Sequence, residues 1–280
     1  MNRIISLRLL MVAGFFCTGA MFLTPAIAQV PKKIKELSFK NIENVSVDRL
    51  GNLFIVFKNG GIKKYDANGK ELAVLKKGDL PTLIEPWYHP KIFVYNRLTQ
   101  QIMIYDHNLQ FPQIGKIDPA IAVNPFLVCP TNDNKLLVLD EADWSIKKAN
   151  PSTSKVLLEF NIDTLGMGKP VFSYLREYQN LIFLLDKYSG IFIFNNLGKK
   201  INHVKCTTQN FGFYGEELFY LVDDRVIFYD LYSERTREVK IEPGKFVIAT
   251  DERIFLIKNN DRVVIYEFLA EVSDEKPREK

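Results

Sequence analysis

The chain has 280 residues, 47% of them hydrophobic, 25% charged and 12% aromatic, an ordinary globular composition that suits one large all-β domain or two smaller ones. The formal charge of +4 shrinks once the first 28 residues are set aside, because Arg3 and Arg8 lie there and leave 35 of the 37 basic residues against 33 acidic ones. So balanced a chain, with no long basic patch, argues against nucleic acid as the main partner.

Residues 1–28 read as a signal peptide. Arg3 and Arg8 make a positive start, 9–23 is an apolar stretch, and Ala26-Ile27-Ala28 is a small-x-small cleavage site before Gln29. An uncleaved anchor is the alternative, since 9–28 approaches the ~20 apolar residues that span a bilayer. Pro25 and the Ala-x-Ala ending argue against it. The expectation is an exported protein, periplasmic or secreted, with no stable membrane insertion after cleavage. Cys17 lies mid-run behind Gly14-Phe15-Phe16, which does not suit lipidation.

The stretch 45–75, VSVDRLGNLFIVFKNGGIKKYDANGKELAVL, sets the pattern for the rest. It reads as a short strand, a Gly-Asn turn, the buried run LFIVF, a Gly-Gly turn, a strand ending in Tyr-Asp, and a turn into ELAVL. The third of these strands recurs: an apolar residue, two variable positions, an aromatic, then an acid or amide. Six copies end at Asp66, Asp106, Asn150, Asn195, Asp230 and Glu267, spaced 40, 44, 45, 35 and 37 residues apart, and only Ala149 breaks the aromatic rule. These spacings predict a propeller blade of four short strands each. Apolar second strands precede the copies at 53–57, 92–95, 136–139, 181–185, 218–222 and 254–257. Their near-continuous hydrophobicity predicts that both faces are covered, blade on blade. Shorter inner strands come before them at 45–47, 83–85, 126–129, 171–174, 211–213 and 246–249; outer strands follow, as at 71–75, 155–160 and 236–241.

The sixth unit lacks its outer strand. After Tyr266 the chain runs Glu-Phe-Leu-Ala and then into a charged tail, 271–280, read as disordered. Residues 35–39 sit where an outer strand of a preceding blade belongs. The expectation is therefore one domain over 29–270, a six-bladed β-propeller of four-stranded antiparallel blades, closed by strand 35–39 joining the last blade. An unclosed ring would expose a row of unpaired backbone groups.

At Asp48-Arg49-Leu50-Gly51-Asn52-Leu53-Phe54-Ile55-Val56, followed by Ile62, Tyr65-Asp66 and Gly69, the chain resembles an NHL-type repeat. The resemblance covers most of 34–268. The full motif stands in the first unit; later units keep the strand pattern but lose the Gly, as at Thr250-Asp251-Glu252-Arg253. It implies a six-bladed propeller. Relatives of this kind include protein-binding scaffolds, lyases, and sugar lactonases that bind a divalent cation in the central channel.

In such a ring the loops between second and third strands share a face with the blade-to-blade connections. Asn96-Arg97, Asp140 to Trp144, Asp186-Lys187-Tyr188 and Asp223-Asp224 fall there. Trp144 and Tyr188, flanked by Arg97, Asp143 and Asp224, are the candidate anchors for a protein or peptide partner. The connections 115–125 and 161–170 (with Met167) are partly apolar and either pack over the blade tops or extend that surface. Asp140, Asp186 and Asp223 end second strands in three consecutive units. They read more simply as turn caps than as oxygen ligands for Ca²⁺, and a lactonase-like site also wants a Glu or Asn on an inner strand near the channel, for which Glu85 is one candidate. No cofactor is expected, with Ca²⁺ the alternative. His89 and His107, with Asp106, imitate a His-His-carboxylate set but belong to solvent loops, and His203 lies on an outer strand. No Ser/His/Asp arrangement, Gly-rich phosphate loop or Cys-x-x-Cys is present, so no catalytic residue is assigned. Cys129, on an inner strand, and Cys206, ending an outer one, are expected to be too far apart to bridge. The reading is a non-catalytic binding scaffold. A metal-dependent lactonase or hydrolase, or a carbohydrate or small-ligand sensor, stands as the alternative.

Overall fold

In a computed structural model, residues 31–88, 90–162 and 170–268 are described. The leader at 1–28, the tail at 271–280, His89 and most of the 161–170 connection, Met167 included, lie outside them. Twenty-four strands form six four-stranded antiparallel sheets, and no helix occurs among the described residues. Five blades take four consecutive strands each, from the inner edge to the outer: Ile42–Leu75, Leu83–Lys116, Pro125–Asn161, Phe172–Val204 and Phe211–Lys240. The sixth takes β22 (Phe246–Ala249), β23 (Arg253–Lys258) and β24 (Arg262–Glu267) from the end of the chain and β1 (Lys33–Ser38) from its start.

The ring therefore closes as the missing outer strand required, with bounds two residues earlier at the start than the sequence suggested. Leu37 pairs Val263 and Glu36 pairs Val264. The pairing continues past the ends of β1, where Glu267 N donates to Lys32 O at 2.8 Å and Phe39 N to Asp261 O at 2.5 Å. The seam between blades six and one is also sealed by packing: Ile42, Val45, Leu53 and Ile55 bury against Phe246, Ile248, Phe255 and Val263. Each neighbouring pair of blades shares a core of this kind, so the apolar interior is distributed around the ring. This is why second strands such as β3 (Leu53–Phe57) and β11 (Leu136–Asp140) are buried along almost their whole length.

The repeated acid or amide has a local cause. The side chain of Asp66 accepts the N–H groups of Asn68 and Lys70 at 2.9 and 2.8 Å. Asp106, Asn195 and Asp230 cap the equivalent turns in the same way. A short side chain that accepts from the backbone two residues on stabilises the turn into the outer strand. In the first blade that turn carries Gly69 at φ 73°, where an added Cβ would meet Leu37 and Ile265 of the closing blade at 2.9–3.0 Å.

Candidate functional site

On the face bearing the blade-to-blade connections, Asp140 and Asp186 close β11 and β15 (Leu181–Asp186) and are almost wholly buried. Asp140 accepts the N–H groups of Val123, Asn124 and Ala142 and the Lys147 ammonium, all at 2.9–3.1 Å. Asp186 accepts from Val171 N, Tyr188 N, Ser189 N and Ser189 Oγ. Each carboxylate thus ties the incoming connection to its own blade. Burial raises both pKa values. For Asp140 the Lys147 ammonium and backbone donors outweigh it, for Asp186 the donors around Ser189 do, and both groups sit below the ordinary carboxylate range. Asn96 does the same work in the second blade, accepting from Thr99 N and donating to Leu80 O.

Asp223 stands apart from this pair. It is exposed at φ 54° and lines an open cavity of about 660 Å³ with Lys245, Asn259 and Asn260. Asp224 lies beside Arg225. Arg97 bonds Glu141, which also holds Asn124, and its guanidinium lies 3.8 Å over the Phe126 ring. Asp143 caps Ser145 and approaches Lys147 at 3.4 Å. Trp144, at φ 54°, is wedged edge-on between Phe126 and Phe172, at 5.8 and 5.4 Å. Much of its ring therefore serves the junction of the third and fourth blades. Tyr188 is 74% exposed, and Leu98 (93%) and Val123 (74%) share its face on the loops of the second and third blades.

The central channel holds a constellation that strand patterning missed. The inner strand of the fourth blade runs on to Tyr178, well past the expected end at 174, which carries Arg176 and Glu177 into the axis. Glu85, at the end of the inner strand of the second blade, is fully buried and accepts Trp87 N at 3.0 Å and Tyr174 Oη at 3.2 Å. Arg176 Nε lies 3.2 Å from Glu85 Oε2, an ion pair across the axis that skips the third blade. The guanidinium is sandwiched by Trp87 at 4.8 Å and Phe213 at 5.3 Å. Among the described residues its Nε and Nη2 find no hydrogen-bond partner, nor does Ser173 Oγ. Glu177 turns the other way and bonds Lys148 at 2.9 Å. This plug divides the channel. Towards the connection face it leaves a cavity of about 30 Å³ lined by Ser46, Ser173, Tyr174, Arg176 and Gln209. Towards the opposite face lies a cavity of about 330 Å³ framed by Arg49, Trp87, Tyr88, Tyr178 and Gln179.

Chemically these groups can hold, orient and exclude water. Glu85, the inner-strand acid that the sequence singled out, is engaged by Arg176 and Tyr174. Among the described residues no group of three or more His, Cys, Asp or Glu side chains is arranged to hold a metal ion. His107 is exposed; His203 stacks on Phe192 at 4.1 Å and its Nε2 lies 2.8 Å from Ser189 O. Cys129 and Cys206 are free, the first fully buried, with its thiol pushed well above the ordinary range by burial and by Glu85 and Glu177.

No family model matches this chain, and no curated protein matches its sequence. Solved structures do match its fold. The β-propeller domain of Cps50 (Swd1) from Myceliophteria thermophila superposes with a TM-score of 0.58 at 10% identity, covering 85% of this chain and 99% of that one. Virginiamycin B lyase from Staphylococcus aureus gives 0.55 at 12%, over 84% and 99%. A chain of the mitotic checkpoint complex gives 0.54 at 11%, over 96% and 99%. At such identities the likeness is one of fold: a β-propeller.

Proposed function

We propose that this protein is an exported, non-catalytic β-propeller scaffold that binds a protein or peptide partner on its connection face. The observation that carries the reading is the placement of Leu98, Val123 and Tyr188, three large and mostly exposed side chains on loops of three successive blades. Apolar groups gathered on one face and rimmed by charge suit a docking surface. Here Arg97, Glu141 and Asp143 supply the charge, and Trp144 stiffens the loop beneath. Proteins of this fold as different as Swd1 and a chain of the mitotic checkpoint complex fit a scaffold role at the level of architecture. Export rests on the leader-like residues 1–28, and a periplasmic or secreted location follows from it.

The test is affinity capture from the native host with Leu98→Ser, Val123→Ser and Tyr188→Ala. Loss of the partner at an unchanged melting temperature supports the reading. Undiminished recovery with all three changes places the docking surface elsewhere.

A further inference from the structure

The channel mouth opposite the connection face combines aromatic rings with balanced polar groups. Its cavity of about 330 Å³ lies within the range of small-molecule sites. Arg49, Trp87 with Tyr88, Asn132, and Tyr178 with Gln179 reach it from where inner strands turn into second strands in blades one to four, and Glu177 joins them on the wall. Tyr178 is fixed by stacking on Phe213 at 4.0 Å and by donating to Gly215 O at 2.6 Å. Gln179 is oriented by Tyr232, whose hydroxyl donates to its Oε1 at 3.0 Å. Tyr232 is 66% exposed and carries the aromatic surface on to the fifth blade. Arg49 lies 5.6 and 5.7 Å over the Trp87 and Tyr88 rings, near the outer limit of such contacts. Lys148 reaches Glu177 at 2.9 Å and Asp133 at 3.2 Å, and Arg176 faces Glu85 at 3.2 Å, so with Arg49 three cations stand beside three acids. Glu177 Oε2 is buried and finds no hydrogen-bond partner among the described residues.

We propose that this mouth binds a neutral saccharide unit, seated against Tyr88 and Tyr178, with its hydroxyls bonded to Asn132, Gln179 and Glu177. Other classes of small ligand each meet an obstacle. Glu177 on the wall disfavours an anion, and Arg49 lies over the two rings that would otherwise cage a cation. Against an apolar ligand the amide, carboxylate and guanidinium groups of the wall would lose water without gaining partners. A sugar offers an apolar C–H face to an aromatic ring and hydroxyls that both donate and accept, which suits half-buried Tyr and Trp beside amides and a carboxylate. The Arg49 contact is long and exposed, so the guanidinium can leave the rings and donate to the sugar instead. Because Tyr178 and Gln179 are already held by the fifth blade, binding costs little ordering there. The site lies on the face opposite the apolar docking surface and stands independently of it.

Trp144→Phe leaves Trp87 as the sole tryptophan of the chain, and its fluorescence then reads the site directly. The probes are glucose, galactose, mannose and N-acetylglucosamine with their homodisaccharides, and tetramethylammonium as the cation. At least one sugar should shift the Trp87 emission saturably in the millimolar range. Tighter binding of its disaccharide, lost in Tyr232→Ala, would mark a glycan chain as the source; equal binding would mark a free sugar. Asn132→Ala and Gln179→Ala, both at exposed residues, should each weaken binding about two- to tenfold, the worth of one hydrogen bond. Tyr88→Ala should weaken it about tenfold or more through loss of the ring, and Tyr188→Ala on the other face should leave it unchanged. Added sodium chloride should have little effect, whereas it would weaken the binding of an ionic ligand. Trp87 is kept intact because it sandwiches Arg176. No saturable response to any of these sugars, equal affinity in Asn132→Ala, Gln179→Ala and Tyr88→Ala, or a response to tetramethylammonium alone overturns the proposal.

Discussion

Replacing Glu85 by Gln tests the channel plug. The change keeps the size of the side chain and an acceptor for Trp87 N, but leaves the Arg176 guanidinium buried without its counter-charge. Breaking a buried pair in this way typically costs about 3–5 kcal/mol. For a domain of this size each kcal/mol lowers the melting temperature by about 2–4 °C, so the expected fall is about 6–20 °C. Glu85→Leu combined with Arg176→Met removes both charges and fills the axis with apolar volume, an exchange that is often neutral or stabilising. The double variant should therefore melt well above Glu85→Gln. Scanning calorimetry or urea titration of the parent, Glu85→Leu, Arg176→Met and the double variant completes the cycle, with Glu85→Gln measured beside it. If Glu85→Gln loses less than about 1 kcal/mol, or the double variant loses the sum of the singles, the two groups are solvated and do not close the channel.

Other outcomes follow from the same structure. Asp140 and Asp186 have lowered pKa values in the folded protein, so their stabilisation is fully present above the unfolded value near 4 and is lost as pH falls through the folded values. Stability measured by urea should decline below about pH 4, and Asp140→Asn with Asp186→Asn should flatten that decline. Cys129 is buried and Cys206 partly so, its thiol raised to about 11 by burial. Both should resist a thiol reagent at pH 8 in the native protein and react rapidly in denaturant; fast labelling of Cys129 in the native state contradicts its placement. Gly190 sits at φ 109° with Val204 O 2.1 Å from where a Cβ would stand. Gly190→Ala should cost at least the ~1–3 kcal/mol of a disfavoured backbone conformation, whereas Gly115→Ala, with nothing within 4 Å, should cost far less.

The blades were readable from the sequence because each repeats one local device: a continuously apolar second strand, then a third strand ended by an Asx turn. Glu71–Leu75, Leu83–Glu85 and Phe246–Ala249 fall where patterning placed them. The channel was not readable, because its pairings are properties of the ring. Glu85 and Arg176 lie far apart in sequence and meet across the axis, and Arg176-Glu177 resembles a polar turn until the inner strand is seen to continue through it. Trp144 shows the same limit. An aromatic between Asp143 and Ser145 looks like an exposed anchor, yet rings from two inner strands clasp it.

Closure of the ring by β1 is tested most directly by hydrogen exchange along β24, comparing the chain from Gln29 with one beginning at Asn41. In the longer chain the β24 backbone groups paired with Glu36 and Leu37 should be as protected as those facing β23. The shorter chain should lose that protection, melt lower, and regain both when a peptide spanning 31–40 is added. Equal protection and equal melting in the two chains would contradict a ring held shut by its first strand.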